Sequence, residues 1–237
     1  MKAPNLPPCH DLVRLVRPSQ RETQQALLAH LTRPPGFFNY EVARRISPHA
    51  FAGGIRASAL KQACDAVPNK IGRIANWEAV QAIQGAGRGR TVQCYPMNDG
   101  RLMVRKDLFI RVSADFYFVE SGTASVFWLQ PRRGYALSGE QLAMFGALIR
   151  MTLLAGDFES AGLEILDISA PDGKNRQSRT FKLDDLPFVE DSQVEAGIAR
   201  VVAAYDEVLG MGIDWTEVRR RQSGGDRPSA QEGFPGL

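Results

Sequence analysis

Asp115, Gln130 and Arg132 are the residues of this chain whose types and spacing could do chemistry. They lie in the stretch 113–134, SADFYFVESGTASVFWLQPRRG. Two runs of aromatic and β-branched residues, Phe116 to Val119 and Val126 to Leu129, flank a turn at Glu120, Ser121, Gly122 and Thr123, which predicts a β-hairpin. With a two-residue loop Asp115 stands across from Trp128, and Gln130 is one step diagonal to it. Side chains alternate along a strand, so Asp115, Gln130 and Arg132 share a face. A carboxylate, an amide and a guanidinium brought together in this way are suited to handling phosphate.

The elements that must hold this hairpin are legible on either side of it. Before it, the period is helical. Ser19 to Glu22 has the S-x-x-E form of a capping box and opens a helix over 20–32, stopped by Pro34-Pro35-Gly36. Further helices are expected at 39–46, 57–67 and 76–84, the last capped by Asn76. The helix over 20–32, the Gly-containing break at 34–36 and then YEVARRI loosely suggest a helix-turn-helix. From about residue 91 the period becomes two: TVQCYPM, RLMVRKDLFIRV, DFYFV and ASVFWLQ read as strands, with a hairpin turn at Asn98-Asp99-Gly100. Leu108, Ile110, Val112, Ala114, Phe116 and Phe118 are expected on one face. Ser138 to Gln141 is a second capping box and opens a helix reaching Gly156, whose apolar stripe should cover the sheet. Two strands, 163–169 and 179–183, and a helix starting at Asp191 and closed by Gly210 complete the pattern. The fold class is α/β (α+β): an N-terminal helical module followed by a mixed or antiparallel sheet flanked by helices. The expected divisions are an N-terminal extension (1–18), a helical module (19–85), a sheet domain (86–212) and a C-terminal tail (213–237), disordered from Ser223.

Composition narrows the function classes. With 237 residues and 44% hydrophobic content the chain can bury a large core. The longest apolar stretch, LAMFGALIRMTLLAG, is too short to span a bilayer and carries Arg150. Prolines occupy the N-terminus where an export signal needs an apolar run, so a cytoplasmic location is expected. Cys9, Cys64 and Cys94 are far apart and form no C-x-x-C, which points to reduced thiols without a zinc site. His10, His30 and His49 show no metal-ligand or triad spacing. The run GAGRGR follows a helix and precedes a strand, the reverse of the dinucleotide-binding order. Net charge is only +3, but basic residues cluster near the hairpin: Arg88 and Arg90, Arg105 and Lys106, Arg132 and Arg133.

The order helix, three strands, helix, strand over about 76–169 resembles the core of the PD-(D/E)XK nuclease superfamily, the restriction-endonuclease-like fold. The resemblance implies that Asp115 is the strand carboxylate and metal ligand, that Gln130 and Arg132 stand at the (E/Q)-x-K positions, and that Glu78 is the helix acid. It also implies Mg²⁺ as the cofactor of an active member. Gln130 replaces an acid with a neutral amide, and the arginine in the lysine's place cannot take a proton from water. The expectation is therefore a nucleic-acid-binding protein with a degenerate metal site, taking DNA ahead of RNA, with Arg88, Arg90, Arg105, Lys106, Arg132 and Arg133 on phosphates. The alternatives are an active Mg²⁺-dependent nuclease using Glu78, Asp115, Gln130 and Arg132, and an adaptor or homo-oligomer whose helices 139–155 and 191–209 bind a protein.

Overall fold

The hairpin turns at Ser121 and Gly122, both with positive φ (51° and 82°), the geometry whose twist matches the flanking strands. A computed structural model describes residues 3–34, 36 and 38–222. The hairpin strands are β4 (Phe116–Glu120) and β5 (Thr123–Gln130), paired from Glu120 with Thr123 to Phe116 with Phe127. β1 (Val92–Tyr95) pairs antiparallel with the outer side of β4. On the other side β6 (Gly162–Asp167) runs parallel to β5, reached through helix α6 (Gly139–Thr152), and β7 (Arg179–Lys182) pairs antiparallel with β6. The five-stranded order is β1-β4-β5-β6-β7, and β2 (Gly100–Arg105) and β3 (Leu108–Val112) form a separate ribbon.

Helices cover both faces, which is why β5 reads as an unbroken apolar run. Val126 and Trp128 face one core with Leu163 and Ile165. There they meet α1 (Cys9–Leu12), α2 (Gln20–Thr32), α6, α7 (Asp191–Leu209) and the inner side of the ribbon. Phe127 and Leu129 face the other core with Phe116, Phe118, Leu166 and Ile168, under α3 (Glu41–Ala52), α4 (Ala57–Asp65) and α5 (Lys70–Gly87). The architecture is a mixed α/β sheet between two helical layers.

Several expectations are corrected. The helices of 19–85 share their cores with the sheet: α2 packs on α7, whereas α3 packs on α5 across the sheet, so α2 and α3 do not form a helix-turn-helix. The N-terminal 18 residues are integral, since Leu6, Cys9, Leu12, Val13 and Leu15 are buried. Residues 215–222 form a last helix, α8 (Trp215–Gln222), with Trp215 buried; the expected disorder from Ser223 onward lies outside the described residues. RLMVRKDLFIRV is two strands, broken at Asp107, whose φ is 66°. The ribbon's Ile110 and Val112 lie in one core and Phe116 and Phe118 in the other, so the expected common face changes sides between β3 and β4. Gly100 makes no hairpin turn but opens β2, and a Cβ there would lie 2.8 Å from Leu153 Cδ2.

Asn76 is the most instructive correction. It caps no helix of its own, because α5 starts at Lys70 under the Asn69 side chain, which accepts from Gly72 N at 3.0 Å. Asn76 is fully buried in mid-helix, and its Oδ1 accepts from Ala43 N at 2.9 Å in the first turn of α3. Its Nδ2 donates to Asn39 O and Gly72 O at 2.9 and 2.8 Å. It caps the neighbouring helix instead. Asn76→Ala should cost about 2 kcal/mol, since a buried amide and carbonyls lose their partners. Urea unfolding checks this, and a loss under about 0.5 kcal/mol would mean that Asn76 does not hold the α3 start.

Candidate functional site

Asp115, Gln130 and Arg132 stand at one end of the hairpin and Glu78 on α5, and each is held by other partners. The strand ladder ends at Phe116 with Phe127; just before it, Asp115 donates its amide to Phe127 O at 2.9 Å. Its side chain is 2% exposed and accepts from Leu129 N at 2.6 Å and from Arg44 of α3. Arg44 also donates to Leu129 O at 2.8 Å, and its guanidinium carbon lies 6.0 Å from the Trp128 ring. Burial pushes the Asp115 carboxyl above its ordinary pKa, against the pull of Arg44 and the Leu129 amide. Gln130 is buried: it donates to Tyr135 O at 3.0 Å and accepts from Arg132 N at 3.1 Å. Arg132 pairs with Asp11 at 3.0 Å. Glu78 lies on α5, over the other face, and pairs with Arg176 at 2.8 Å.

This set does not fit a divalent ion. A hard cation needs converging oxygens with free lone pairs, yet both Asp115 oxygens and the Gln130 oxygen accept from the chain, and Glu78 belongs to the other layer. Among the described residues no group of three or more His, Cys, Asp and Glu could hold a metal. Burial pushes the Cys9 thiol up to about 12 and that of Cys94 up to about 11, so neither is a thiolate near neutral pH.

The basic residues divide into two kinds. Arg90 is structural: its guanidinium carbon sits 4.9 Å from the Phe51 ring and 4.8 Å from the Phe118 ring. It binds Glu120 through Nε and Nη2, and buried Glu164 through Nη1 at 2.9 and 3.0 Å. Those carboxylates raise its pKa above the ordinary value. Arg105 makes two 2.7 Å bonds to Asp206. Arg88, Lys106 and Arg133 are exposed. Two clefts open along α5. One, of about 390 Å³, lies between Glu78, Gln81 and Ala82 of α5, Arg133, and the β6–β7 connection at Ile168 and 174–178. The other, of about 450 Å³, lies between the end of α3 and the turn 87–90, and the two share Gln81. Arg176 fastens the first cleft's outer wall, donating to Pro131 O, Ile168 O and Tyr40 Oη at 2.7, 2.9 and 2.9 Å. The first cleft stands at the carboxyl end of the parallel pair β5–β6, where open α/β sheets leave a crevice.

Sequence reasoning counts Lys174, at the cleft rim, in a basic cluster with Arg176 and Arg179 but not among the phosphate contacts, and it names none of Asp11, Arg14, Arg33 and Tyr135, which surround Arg132. Arg14 and Tyr135 are 121 positions apart and in contact, and no local pattern signals such a pair. The helices expected to bind a protein are turned inward: none of the large exposed apolar side chains among the described residues lies on α6 or α7. No described helix is long and apolar enough to cross a membrane.

Fold and site define a mixed α/β sheet protein with a closed carboxylate pair and a cationic crevice. No family model matches the chain, and no curated protein matches it. A solved structure described as "Crystal structure of SSO0001" aligns over 78% of this chain and 83% of that one, with 12% identity and a TM-score of 0.34. A likeness that low carries no argument about fold or function.

Proposed function

We propose that this protein binds nucleic acid through its backbone phosphates, duplex DNA ahead of RNA, along the α3–α5 layer, and that it does so without metal-dependent hydrolysis. The observation that carries the reading is the distribution of charge. Residues 41–90 hold eight of the 29 Lys and Arg but three of the 26 Asp and Glu, so the rest of the chain is slightly acidic. Arg45, Arg56, Lys70, Arg73 and Arg88 are exposed, with no ion pair among the described residues. Arg133 and Lys174 add two exposed cations at the cleft rim. A one-sided cationic layer beside a crevice attracts a polyanion and releases its counterions.

The order α5, β1, β4, β5, α6, β6, with the β2–β3 ribbon inserted, agrees with the element order of a PD-(D/E)XK core, and supports a nuclease-like scaffold. The closed Asp115 pair favours binding over cleavage on that scaffold. Arg90 holds Glu120 and Glu164 and drops out of the phosphate contacts, and Arg105 is in an exposed pair with Asp206 of α7, on the other layer, which leaves Arg88, Arg133 and Lys174 at the clefts.

Fluorescence anisotropy with labelled duplex DNA, single-stranded DNA and RNA over a range of KCl tests the reading. Affinity should fall steeply with salt. Arg133→Ala with Lys174→Ala should weaken binding roughly tenfold or more and make the log–log salt slope shallower by about 2, one for each lost phosphate contact. Binding that ignores ionic strength, or is unchanged in this double variant, would sink the proposal.

A further inference from the structure

On the side of the sheet away from the clefts, three arginines from three separate segments converge on one tyrosine. The guanidinium carbons of Arg14, Arg33 and Arg132 lie 5.5, 5.5 and 5.4 Å from the centre of the Tyr135 ring. Arg14 follows α1, Arg33 ends α2, and Arg132 and Tyr135 follow β5. Arg14 is anchored on the backbone, donating to Ala136 O at 3.0 Å and to Tyr135 O. Arg33 donates one Nη to Tyr135 Oη at 2.6 Å, so the tyrosine's own proton is free to donate elsewhere. Arg132 gives one Nη to Asp11. The remaining donors of Arg33 and Arg132 have no protein acceptor among the described residues, and both side chains reach solvent, at 40% exposure for Arg132.

Like charges held this close repel, and the repulsion is strongest where the site is partly dry. Asp11 is the sole carboxylate in an ion pair with any of the three among the described residues. Three cations against one anion leave an excess of two positive charges. The same field, added to burial, lowers the pKa of His10 and His30, so the histidines do not add to it at neutral pH.

We propose that Arg14, Arg33, Arg132 and Tyr135 form a binding site for a phosphate monoester. Its charge of nearly −2 at neutral pH matches the excess, and its three terminal oxygens suit guanidinium donors in fork geometry and one hydroxyl. A phosphodiester, with one negative charge and two free oxygens, matches less well. The proposal is independent of nucleic-acid binding on the α3–α5 layer. The same chemistry, a phosphate group with at least three unesterified oxygens, is offered by a mononucleotide, by the phosphorylated end of a strand and by inorganic phosphate.

Thermal unfolding of the full chain in inorganic phosphate, methyl phosphate or dimethyl phosphate, each against chloride at matched ionic strength, tests the site. Phosphate and methyl phosphate should raise the midpoint and dimethyl phosphate should not. Calorimetric titration should show phosphate affinity falling at least tenfold in Arg33→Ala, an exposed position where folding is not at risk, and severalfold in Tyr135→Phe. Affinity for methyl phosphate should strengthen as pH rises from 5 to 7.5, because a monoester loses its second proton near pH 6. Paired oligonucleotides with a 5′-phosphate or a 5′-hydroxyl identify the source. A preference for the phosphate that Arg33→Ala abolishes assigns the site to strand ends, and phosphate binding without that preference assigns it to the free ion or mononucleotide. Phosphate indistinguishable from chloride, or binding unchanged in Arg33→Ala, overturns the proposal.

Discussion

Replacing Arg44 with alanine should destabilise the fold by about 3 to 5 kcal/mol, the cost of leaving a buried carboxylate without its counter-charge. Asp115 has a side chain only 2% exposed, and after the replacement it would keep a single donor, the Leu129 amide. Arg44 is itself one-third exposed, so its own desolvation is smaller and the penalty falls on Asp115. Adding Asp115→Asn should restore most of the loss, because the asparagine oxygen still accepts from Leu129 N and no charge remains buried. The single variant should also gain stability on acidification. Its carboxyl, with a folded pKa raised above the unfolded one, takes a proton more readily when folded, so stability rises as pH falls through that raised value. Urea unfolding of the two single variants and the double variant forms the test. A loss under about 1 kcal/mol for Arg44→Ala, or a double variant no better than the single, contradicts it. The result bears on function too. In a metal-dependent nuclease Asp115→Asn removes activity and leaves the fold intact, whereas here the pair is a structural lock. Loss of any activity in an Asp115 variant would therefore need a stability measurement beside it.

The helix starts at Ser19 and Ser138 are legible because a capping box is a contact within four residues; both reciprocal bonds form in the structure. The two-residue turn at Ser121-Gly122 is legible for the same reason. Where the local signal misleads, a distant partner has decided. Asn76 has the chemistry of a cap and is one, but for a helix 33 positions earlier. Gly100 has the chemistry of a turn, yet what it accommodates is Leu153, more than 50 residues away. The site divides in the same way. The spacing of Asp115, Gln130 and Arg132 on a hairpin is readable from alternation, but their partners Arg44, Tyr135 and Asp11 come from other elements. Those partners turn three apparent catalytic groups into an internal pair, a loop brace and one arm of an arginine cluster. A basic residue likewise cannot be sorted from its neighbours in sequence: Arg88 and Arg90 are two positions apart, and one lines a cleft while the other is enclosed by Phe51, Phe118 and two carboxylates.

Stability should decline by about 3 kcal/mol as pH falls from 6.5 to 4, and His10 should account for the decline. Its ring is packed 5.7 Å from that of Trp128, and its Nδ1 is buried without a hydrogen-bond partner among the described residues. Burial lowers its pKa from the ordinary 6.5 to about 4, with Arg44, Arg132 and Arg14 adding repulsion and Asp11 opposing them. The sign follows from proton counts. Between these two values the unfolded chain binds a proton at His10 and the folded chain does not, so stability is complete above 6.5 and drains away as pH drops toward 4. Each unit within that window costs about 1.4 kcal/mol. His30, also lowered by burial, acts in the same direction. Asp11, held below its ordinary value, loses its contribution at lower pH, and Asp115, raised, opposes the decline. His10→Phe keeps an aromatic ring beside Trp128 and removes this titration, so its stability should fall much less over the interval, with His30 left to contribute. It should also remove the unpartnered Nδ1 and leave the neutral-pH fold intact. Chemical unfolding of both proteins at half-unit steps from pH 7 to 4 decides the matter. Parallel curves would show that His10 is already charged in the folded state, or reaches water, and that the arginines around it do not hold it neutral.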